Sequence, residues 1–432
     1  MRMPLARPDW EGKLKEGTCD GELTFLYGDD APRQVGRYLE TVSAFRSFFG
    51  AEPSHLISVG GRTELCGNHT DHQNGCVLAA AVTRDMLAAV TKKREKRVRL
   101  LAPPFGLIEV SLEDLDVQNE EAGRPQALLR GVVAFLKKER HTVGGCDIYL
   151  HSEVPIGSGL SSSAAFEVLT AYLFSLLFND DAIAATVIAR AGQYAENHYF
   201  DKPCGLMDQL VCASGGSLQI DFKDPANPDV KSLTADFDQG GYGLYLVNAG
   251  GSHAHLTEAY AAIPKEMSAV AQALGQQVLR QVDPSFFYAN IKRLRSRVTD
   301  RAILRAKHYF EENDRVSQAT QALRSGDMDG FRQIMDESGR SSLELLQNVW
   351  PQEDEERSLA LALAVSRDLL GDLGACRVHG GGFAGTIQAL VPSDLQEGYK
   401  RALDDLFGQG ACRKLRVRPV GGYELGKGSC AG

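Results

Sequence analysis

Apolar and polar positions along the chain follow two different periods, which separate predicted helices from predicted strands. Apolar residues recur with helical spacing over residues 34–49 and 126–138. Residues 56–110 and 146–152 carry short apolar runs bounded by charged or proline-rich turns, a pattern typical of strands. The first 33 residues are polar and rich in turn formers, so the first predicted helix begins at Gln34.

The remaining pattern predicts α+β architecture, with helical stretches and strand clusters separated along the chain. Residues 161–178 are apolar nearly all round, which predicts a helix buried in the core rather than on the surface. A second helix is predicted over 181–199, and residues 256–370 are mainly helical in pattern. The later predicted strands lie at 217–222, 242–248, 375–378 and 386–391.

The core helix is preceded by a glycine-rich loop, PIGSGLSSSAA at residues 155–165. Glycines let a backbone approach a polyphosphate, and the N-terminus of a helix offers free N–H groups and a positive dipole. Hydroxyls of the serines that follow suit phosphate oxygens or a magnesium ion. The alternative is a helix cap with a flexible lead-in, because serine is a favoured cap without any ligand.

Residues 61–75 (GRTELCGNHTDHQNG) concentrate hydrogen-bonding side chains, as recognition of a polyhydroxylated ligand requires. His69, Asp71 and His72 are also conceivable metal ligands, but their spacing matches no familiar metal site. A polar loop without a ligand is the plainer alternative. The His253 and His255 pair likewise suits surface histidines better than a metal site.

A third cluster, AENHYFDKPCGLMDQ at 195–209, sets Glu196 and Asp208 among apolar residues. Each carboxylate has a structural alternative as a helix residue or a cap. A magnesium-dependent kinase, however, needs one carboxylate near the metal and another near the attacking hydroxyl.

Two more glycine-rich matches are discounted. Residues 421–427 fit GxxxxGK, but Gly428 stands where a P-loop requires Ser or Thr. Residues 380–385 fit GxGxxG yet lead into a strand-like run instead of a helix. This second segment is interpreted either as an ordinary hairpin turn or as a turn that packs beside the phosphate loop.

Composition narrows the function classes further. With 432 residues and 43% hydrophobic content, the chain is long enough for two domains. A formal charge of -9 argues against nucleic-acid and anionic-membrane partners. The basic run at 92–97 is interrupted by an acidic residue, which predicts a solvated hairpin tip. The absence of a signal-like or membrane-spanning run predicts a cytoplasmic protein, and nine cysteines without a CxxC pair predict reduced thiols.

Taken together, the motifs resemble those of galactokinases in the GHMP kinase superfamily, from about residue 40 to the C-terminus. The family's GRxNLIGEHTDY resembles residues 61–72, and its PxGxGLSSSAS resembles 155–165. Its CGIMDQ is similar to 204–209, and its TGGGFGG turn to 379–385. All four motifs stand in the family's order. The resemblance implies an ATP-dependent sugar kinase that uses Mg²⁺ and phosphorylates the anomeric hydroxyl, with galactose as the leading substrate.

Site residues follow from the resemblance position by position. Asp208 is expected to face the anomeric hydroxyl as the base, and Arg62 to stabilise charge at the transferring phosphoryl group. Ser163 and Glu196 are expected to hold magnesium. The expected sugar-binding residues are Asn68, His69, Thr70, Asp71 and Tyr260. The expected ATP-binding residues are Gly157, Ser158, Gly159, Leu160, Ser161, Ser162 and Ser163.

The resemblance also implies a two-domain GHMP kinase fold. Residues 1–215 would form a domain like domain 2 of ribosomal protein S5, and residues 216–432 a ferredoxin-like domain. The last strand would be able to return to the first domain. The oligomeric state is left open.

Several positions depart from the family pattern. Asn68 stands where galactokinases carry Glu, Glu64 where they carry Asn, and His72 where they carry Tyr. This exchange leaves N-acetylgalactosamine or arabinose as alternative substrates, and it predicts that Asn68→Glu improves the use of galactose and that Glu64→Gln weakens sugar affinity. The sequence is also compatible with a non-catalytic sugar sensor, or with a kinase for a non-sugar alcohol such as mevalonate.

Overall fold

The computed structural model describes residues 8–157, 159–202, 204–250, 256–350, 357–383 and 385–428. The helices are α1 (Trp10–Lys15), α2 (Asp20–Tyr27), α3 (Ala31–Phe49), α4 (Pro125–Lys138), α5 (Ser162–Phe178), α6 (Ala185–His198), α7 (Met207–Ser214), α8 (Thr257–Ala273), α9 (Pro284–Ala289), α10 (Ile291–Leu294), α11 (Asp300–Ser325), α12 (Met328–Ser341), α13 (Ser358–Leu370) and α14 (Gln396–Phe407). The strands are β1 (His55–Cys66), β2 (Cys76–Lys92), β3 (Arg97–Ala102), β4 (Gly106–Ser111), β5 (Cys146–Ser152), β6 (Ser217–Asp221), β7 (Asp229–Leu233), β8 (Tyr242–Gly250), β9 (Ala375–Val378), β10 (Gly385–Pro392), β11 (Cys412–Leu415) and β12 (Tyr423–Glu424). This order of elements confirms the predicted α+β architecture.

The larger sheet has the strand order β12-β1-β2-β5-β3-β4, with β6 paired to the first part of β2 and β7 paired to β6. Strand β2 is long enough to pair antiparallel with β6 over Cys76–Ala80 and with β5 over Met86–Lys92. Helix α5 packs against β1 and β2 and is flanked by α4, α6 and α7. Its residues are buried all round, as its sequence predicts, and it lies inside the main hydrophobic core.

The smaller sheet is antiparallel with the order β11-β8-β10-β9. Helices α13 and α14 cover it, and the long helix α11 packs against α8 and α12 and reaches β1 and β2 of the larger sheet. Strands β6 and β7 continue the larger sheet, so the predicted division at residues 215 and 216 falls just before strands that belong to it. The domain bounds themselves stay a prediction.

The N-terminal segment corrects the sequence analysis. The first 33 residues contain α1 and α2, which bury Trp10, Leu14, Leu23 and Leu26 against α3 and one face of the larger sheet. Helices of six and eight residues are marginal by themselves, so burial against the rest of the chain stabilises them. These helices are too short for their apolar residues to show a recognisable helical period in the sequence.

A buried ionic cluster ties these helices to the tail of the chain. Asp85 of β2 is fully buried and accepts hydrogen bonds from Arg37 at 2.6 Å, Arg418 at 3.1 Å and the Tyr27 hydroxyl at 2.5 Å. Ionised groups are buried in proteins only when they are paired in this way. The cluster therefore joins α2, α3, β2 and the segment before β12.

The predicted hairpin tip at residues 92–97 is also wrong in part. The turn is largely exposed, but the strands that flank it, β2 and β3, do not pair with each other. Strand β5 lies between them, antiparallel to β2 and parallel to β3. A local sequence pattern cannot reveal a strand inserted from about 50 residues further along the chain. Across the described ranges, none of the helices is both long and apolar enough to cross a membrane.

Candidate active site

The glycine-rich loop leads from the end of β5 to the first turn of α5. Gly157 and Gly159 both have φ of 73°, and Ser161 has φ of 57°, so the backbone turns through left-handed conformations before the helix begins. Ser158, a predicted ATP contact, lies outside the described residues. The first turn of α5, with its free N–H groups, therefore follows directly on this loop, which is the arrangement that binds phosphate at a helix N-terminus.

The loop lies directly beside the turn at residues 380–385. A Cβ atom on Gly159 would lie 2.7 Å from both His379 Nδ1 and Thr386 Oγ1, a distance that carbon atoms do not tolerate. Only glycine fits at this position, both for space and for its positive φ. Both interpretations of the turn hold, because it joins the antiparallel strands β9 and β10 and also packs beside the phosphate loop.

Arg62 and Asp208 form the centre of the site. The Arg62 guanidinium donates two hydrogen bonds to the Asp208 carboxylate, each at 2.7 Å, which is the bidentate geometry of a strong ion pair. Arg62 also donates to the carbonyl of Gly159, and the Ser161 hydroxyl donates to Asp208. Strand β1, helix α7 and the phosphate loop thus meet at one pair of charges.

This environment fixes the charge state of Asp208. Burial acts to raise the pKa of the carboxyl, but the charge and hydrogen bonds of Arg62, with the Ser161 hydroxyl, lower it by more. The pKa of Asp208 therefore lies below its ordinary value of 3.8, and the group is an anion at neutral pH. About a third of its side chain remains exposed, so a ligand can reach it.

A second carboxylate, Glu196 of α6, contacts the first turn of α5. The Ser163 hydroxyl donates to Glu196 Oε1 at 3.0 Å, and Gln209 Nε2 donates to Glu196 Oε2 at 3.0 Å. Lys202 Nζ lies 2.7 Å from the same Oε1 atom that accepts from Ser163. Within the described residues, no three His, Cys, Asp or Glu side chains gather as a metal cluster. A hydroxyl and one carboxylate nevertheless match the sparse set of protein ligands that Mg²⁺ uses beside phosphates.

The predicted sugar-binding residues converge on three consecutive carbonyls of the glycine turn. Asn68 Nδ2 donates to Gly380 O at 2.7 Å, and His69 Nε2 lies 3.0 Å from Gly381 O. The Tyr260 hydroxyl donates to Gly382 O at 2.8 Å. Burial lowers the pKa of His69 to about 3, so its ring is neutral and Nε2 carries the proton that it donates. His253 and His255 lie outside the described residues.

Thr70 and Asp71 differ in what they offer a ligand. The Thr70 hydroxyl contacts the carbonyls of Gly67 and Cys76 and is fully buried, so it shapes the turn. Asp71 Oδ1 accepts a hydrogen bond from the His72 backbone N–H at 2.9 Å. Asp71 Oδ2 lies so close to Gly205 that a Cβ atom on Gly205 would be 2.5 Å from this oxygen. No hydrogen bond from the residues described reaches Asp71 Oδ2, which leaves that oxygen for a ligand.

Asn68 is held entirely by protein groups. Its Nδ2 donates to Glu64 Oε1 at 3.0 Å as well as to Gly380 O, and its Oδ1 accepts from Asn348 Nδ2 at 2.8 Å. Glu64 is in turn paired with Arg377 at 2.6 Å. Glu64 lies on a strand rather than on a helical turn, yet its carboxylate does reach Asn68. The amide of Asn68 therefore uses both of its N–H groups within the protein.

Sequence reasoning missed four residues of this site. Asn348 and Arg377 hold Asn68 and Glu64, while His308 Nε2 lies 2.9 Å from Asn68 O. Glu312 Oε1 accepts from the backbone N–H groups of Gly67 at 3.0 Å and Asn68 at 3.3 Å. Burial acts to raise the pKa of Glu312, but nearby His308, Arg315 and Arg377 hold it at about 2.

Two family models match parts of the chain. One describes the N-terminal domain of GHMP kinases and matches residues 127–216. The other is the galactose-binding signature of galactokinases and matches residues 43–92. The first match contains the phosphate loop, Glu196 and Asp208, and the second contains Arg62 and residues 68–71.

Solved structures share the fold. Galactokinase of Lactococcus lactis, determined in complex with galactose, has a TM-score of 0.77 and 21% sequence identity, over 90% of this chain and 99% of that one. Mevalonate kinase of Methanococcus jannaschii has a TM-score of 0.60 and 15% identity, over 84% of this chain and 98% of that one. At these identities the likeness shows the GHMP kinase fold. Two parts of the chain carry sequence features of GHMP kinases on that fold, one of them the galactose-binding signature of galactokinases, and this combination supports a sugar kinase of the galactokinase type.

Proposed function

We propose that this kinase transfers the terminal phosphoryl group of ATP, with Mg²⁺, to the anomeric hydroxyl of a hexose, most favourably galactose. The observation that carries the proposal is the position of the Arg62–Asp208 pair. The pair contacts Gly159 and Ser161 of the phosphate loop. Asp71, from the expected sugar-binding stretch, lies beside Gly205, three residues before Asp208 in the chain. A phosphoryl donor and a polyol acceptor would meet at this pair.

In this proposal each group of the site has a stated role. The loop from Gly157 to Ser163 binds the phosphates, and Ser163 with Glu196 would hold Mg²⁺, which neutralises developing charge when bound. Arg62 orients Asp208 and stabilises negative charge on the transferring group. Asp208 first accepts a hydrogen bond from the attacking hydroxyl. It then takes the proton of that hydroxyl as the new oxygen–phosphorus bond forms.

The sugar would lie against residues 68–71 and the glycine turn. Within the part of the chain that the structure describes, no group donates to Asp71 Oδ2, so this oxygen can accept from a sugar hydroxyl. His69 and Tyr260 contact carbonyls of the glycine turn. Asn68 is engaged with Glu64, Gly380 and Asn348, so we propose that it shapes the pocket more than it binds a hydroxyl directly. Without a direct contact between residue 68 and a sugar hydroxyl, the sugar preference can differ from galactose. N-acetylgalactosamine and arabinose should therefore be tested beside galactose.

A coupled assay of ADP release tests the function. Purified protein with Mg²⁺ and ATP is given galactose, N-acetylgalactosamine, glucose, arabinose or mevalonate in turn, and kcat/KM is measured for each. Sugar-dependent release with galactose highest is the expected result. Tight sugar and ATP binding without release would instead indicate a sensor, and release with mevalonate alone would overturn the sugar assignment.

The Gly159→Ala variant tests the close approach of the phosphate loop to the glycine turn. We expect kcat/KM for ATP to fall at least about tenfold, because a Cβ at this position must displace His379 or Thr386 and move the loop. The measurement is steady-state kinetics with ATP varied at saturating sugar.

Gly326→Ala is the matched control for this prediction. Gly326 has φ of 72°, nearly that of Gly159, but no heavy atom lies within 4 Å of its Cβ position. It should lose about 1 kcal/mol of stability from backbone strain, with kinetics unchanged. Equal kinetic effects of the two substitutions would show that strain, not contact, explains the loss at Gly159.

A further inference from the structure

The ammonium of Lys202 contacts Glu196, the carboxylate proposed to hold magnesium. Its Nζ lies 2.7 Å from Glu196 Oε1, and the Ser163 hydroxyl donates to that same oxygen. The Lys202 side chain is 61% exposed, whereas that of Glu196 is 3% exposed. The ammonium therefore lies on the solvent side of a buried carboxylate, at the mouth of the phosphate loop.

The backbone around Lys202 holds the side chain in this place. Lys202 N donates to Glu196 O at 3.2 Å, and Asp201 just before it has φ of 62°, so the chain folds back onto the end of α6. Arg62, the other cation of the site, is committed to Asp208 by two hydrogen bonds. Among the residues that the structure describes, Lys202 is thus the cation that faces the Ser163 and Glu196 oxygens.

We propose that Lys202 binds the polyphosphate of ATP, in addition to the loop that the family resemblance assigns to it. This inference rests on the proposed function, in which the phosphates lie between the loop and Glu196. An ammonium has three donors, so without metal it can hold a Glu196 oxygen and a phosphate oxygen together. With Mg²⁺ bound by Glu196, the flexible four-carbon stem of Lys202 would allow the ammonium to reach the phosphates alone.

A purely structural ion pair is the alternative, and it makes a different prediction. An exposed lysine that only neutralises Glu196 would contribute to stability and leave nucleotide affinity alone. A phosphate-binding lysine would change the affinity for ATP but not for adenosine, which has no phosphates. The affinities for ATP and for adenosine, measured without turnover, therefore distinguish a phosphate-binding lysine from a structural one.

Calorimetric titration of the 432-residue protein with ATP or adenosine, in EDTA and then in Mg²⁺, tests the proposal. We expect Lys202→Met to raise the Kd for ATP in EDTA about tenfold, and by less in Mg²⁺, since a hydrogen bond to a charged group is lost. The Kd for adenosine should not change, and Lys202→Arg should retain most of the affinity for ATP because it keeps the charge.

Lys93→Met is the matched control, because Lys93 Nζ pairs at 3.0 Å with Asp147, a carboxylate as buried as Glu196 that lies at the start of β5, the end of that strand opposite the phosphate loop. It should leave both affinities unchanged. Equal ATP affinities of the wild type and Lys202→Met, or an equal loss for adenosine, would overturn the role of Lys202 while leaving the kinase assignment intact. A wild-type protein that binds no ATP at all would overturn the proposed function and this inference together.

Discussion

Asp208→Asn is expected to lower kcat by about 10²- to 10⁴-fold, the usual contribution of a positioned general base. An amide keeps the size of the carboxylate and one oxygen that can accept from Arg62, so the pocket should keep its shape. It cannot accept the hydroxyl proton as the new bond to phosphorus forms. The measurement is kcat at saturating ATP and sugar, with the Kd for ATP determined separately and expected to stay near the wild-type value.

Asp221→Asn provides the control for loss of an arginine-paired carboxylate. Asp221 pairs with Arg280 at 2.7 Å, and 30% of its side chain is exposed, almost the same fraction as for Asp208. It lies at the end of β6, outside the proposed site, so its amide variant should turn over normally. Turnover by Asp208→Asn close to the wild-type rate would show that the base has been assigned to the wrong residue.

The low pKa of Asp208 bears on how it acts. A carboxylate whose pKa lies below 3.8 is fully ionised at neutral pH, but it is a weak base. Phosphoryl transfer passes through a loose transition state, so little proton removal is needed before the bond to the leaving group has largely broken. Asp208 can therefore work by orienting the hydroxyl first and accepting its proton late.

Local patterns were enough to predict the elements that carry the phosphate loop. The strand at 146–152 was predicted with its observed bounds, and the core helix was predicted within one residue of α5. These segments have long apolar runs whose burial does not depend on a distant partner. The loop between them follows from its glycines, and its position at the N-terminus of α5 follows from the order of the elements.

The parts that could not be predicted come from distant segments. Asn348 follows a π-helical turn at Ser342–Leu346 and a residue, Gln347, with φ of 59°, and that backbone brings its amide to Asn68 across 280 positions of sequence. Arg377 reaches Glu64 across 313 positions. No period or spacing in one sequence signals such pairs, because they depend on how the smaller sheet and α12 pack against β1.

Those distant contacts reverse the prediction made from sequence for Asn68. A glutamate at position 68 would place a second carboxylate where Asn68 Nδ2 now donates to Glu64 Oε1 at 3.0 Å and to Gly380 O at 2.7 Å. Both partners are acceptors, and the position is only 1% exposed. Burial already raises the pKa of Glu64 despite its pairing with Arg377, so a like charge beside it has no solvent to screen it.

We therefore expect Asn68→Glu alone to lower the free energy of unfolding by about 3 kcal/mol or more, the scale of an uncompensated buried charge, and to impair the use of galactose. The exchange variant Glu64→Asn/Asn68→Glu should recover most of both losses, because one carboxylate remains in the cluster of Arg377 and Asn348 and the like-charge contact is gone. Chemical denaturation and kcat/KM for galactose, measured for both single variants and the exchange, give the coupling energy between the two positions. Additive effects would show that Glu64 and Asn68 act independently and that the sugar pocket does not depend on which of them carries the charge. A strong favourable coupling would show that this pocket needs one buried carboxylate and one amide at positions 64 and 68, and that either position can carry the carboxylate.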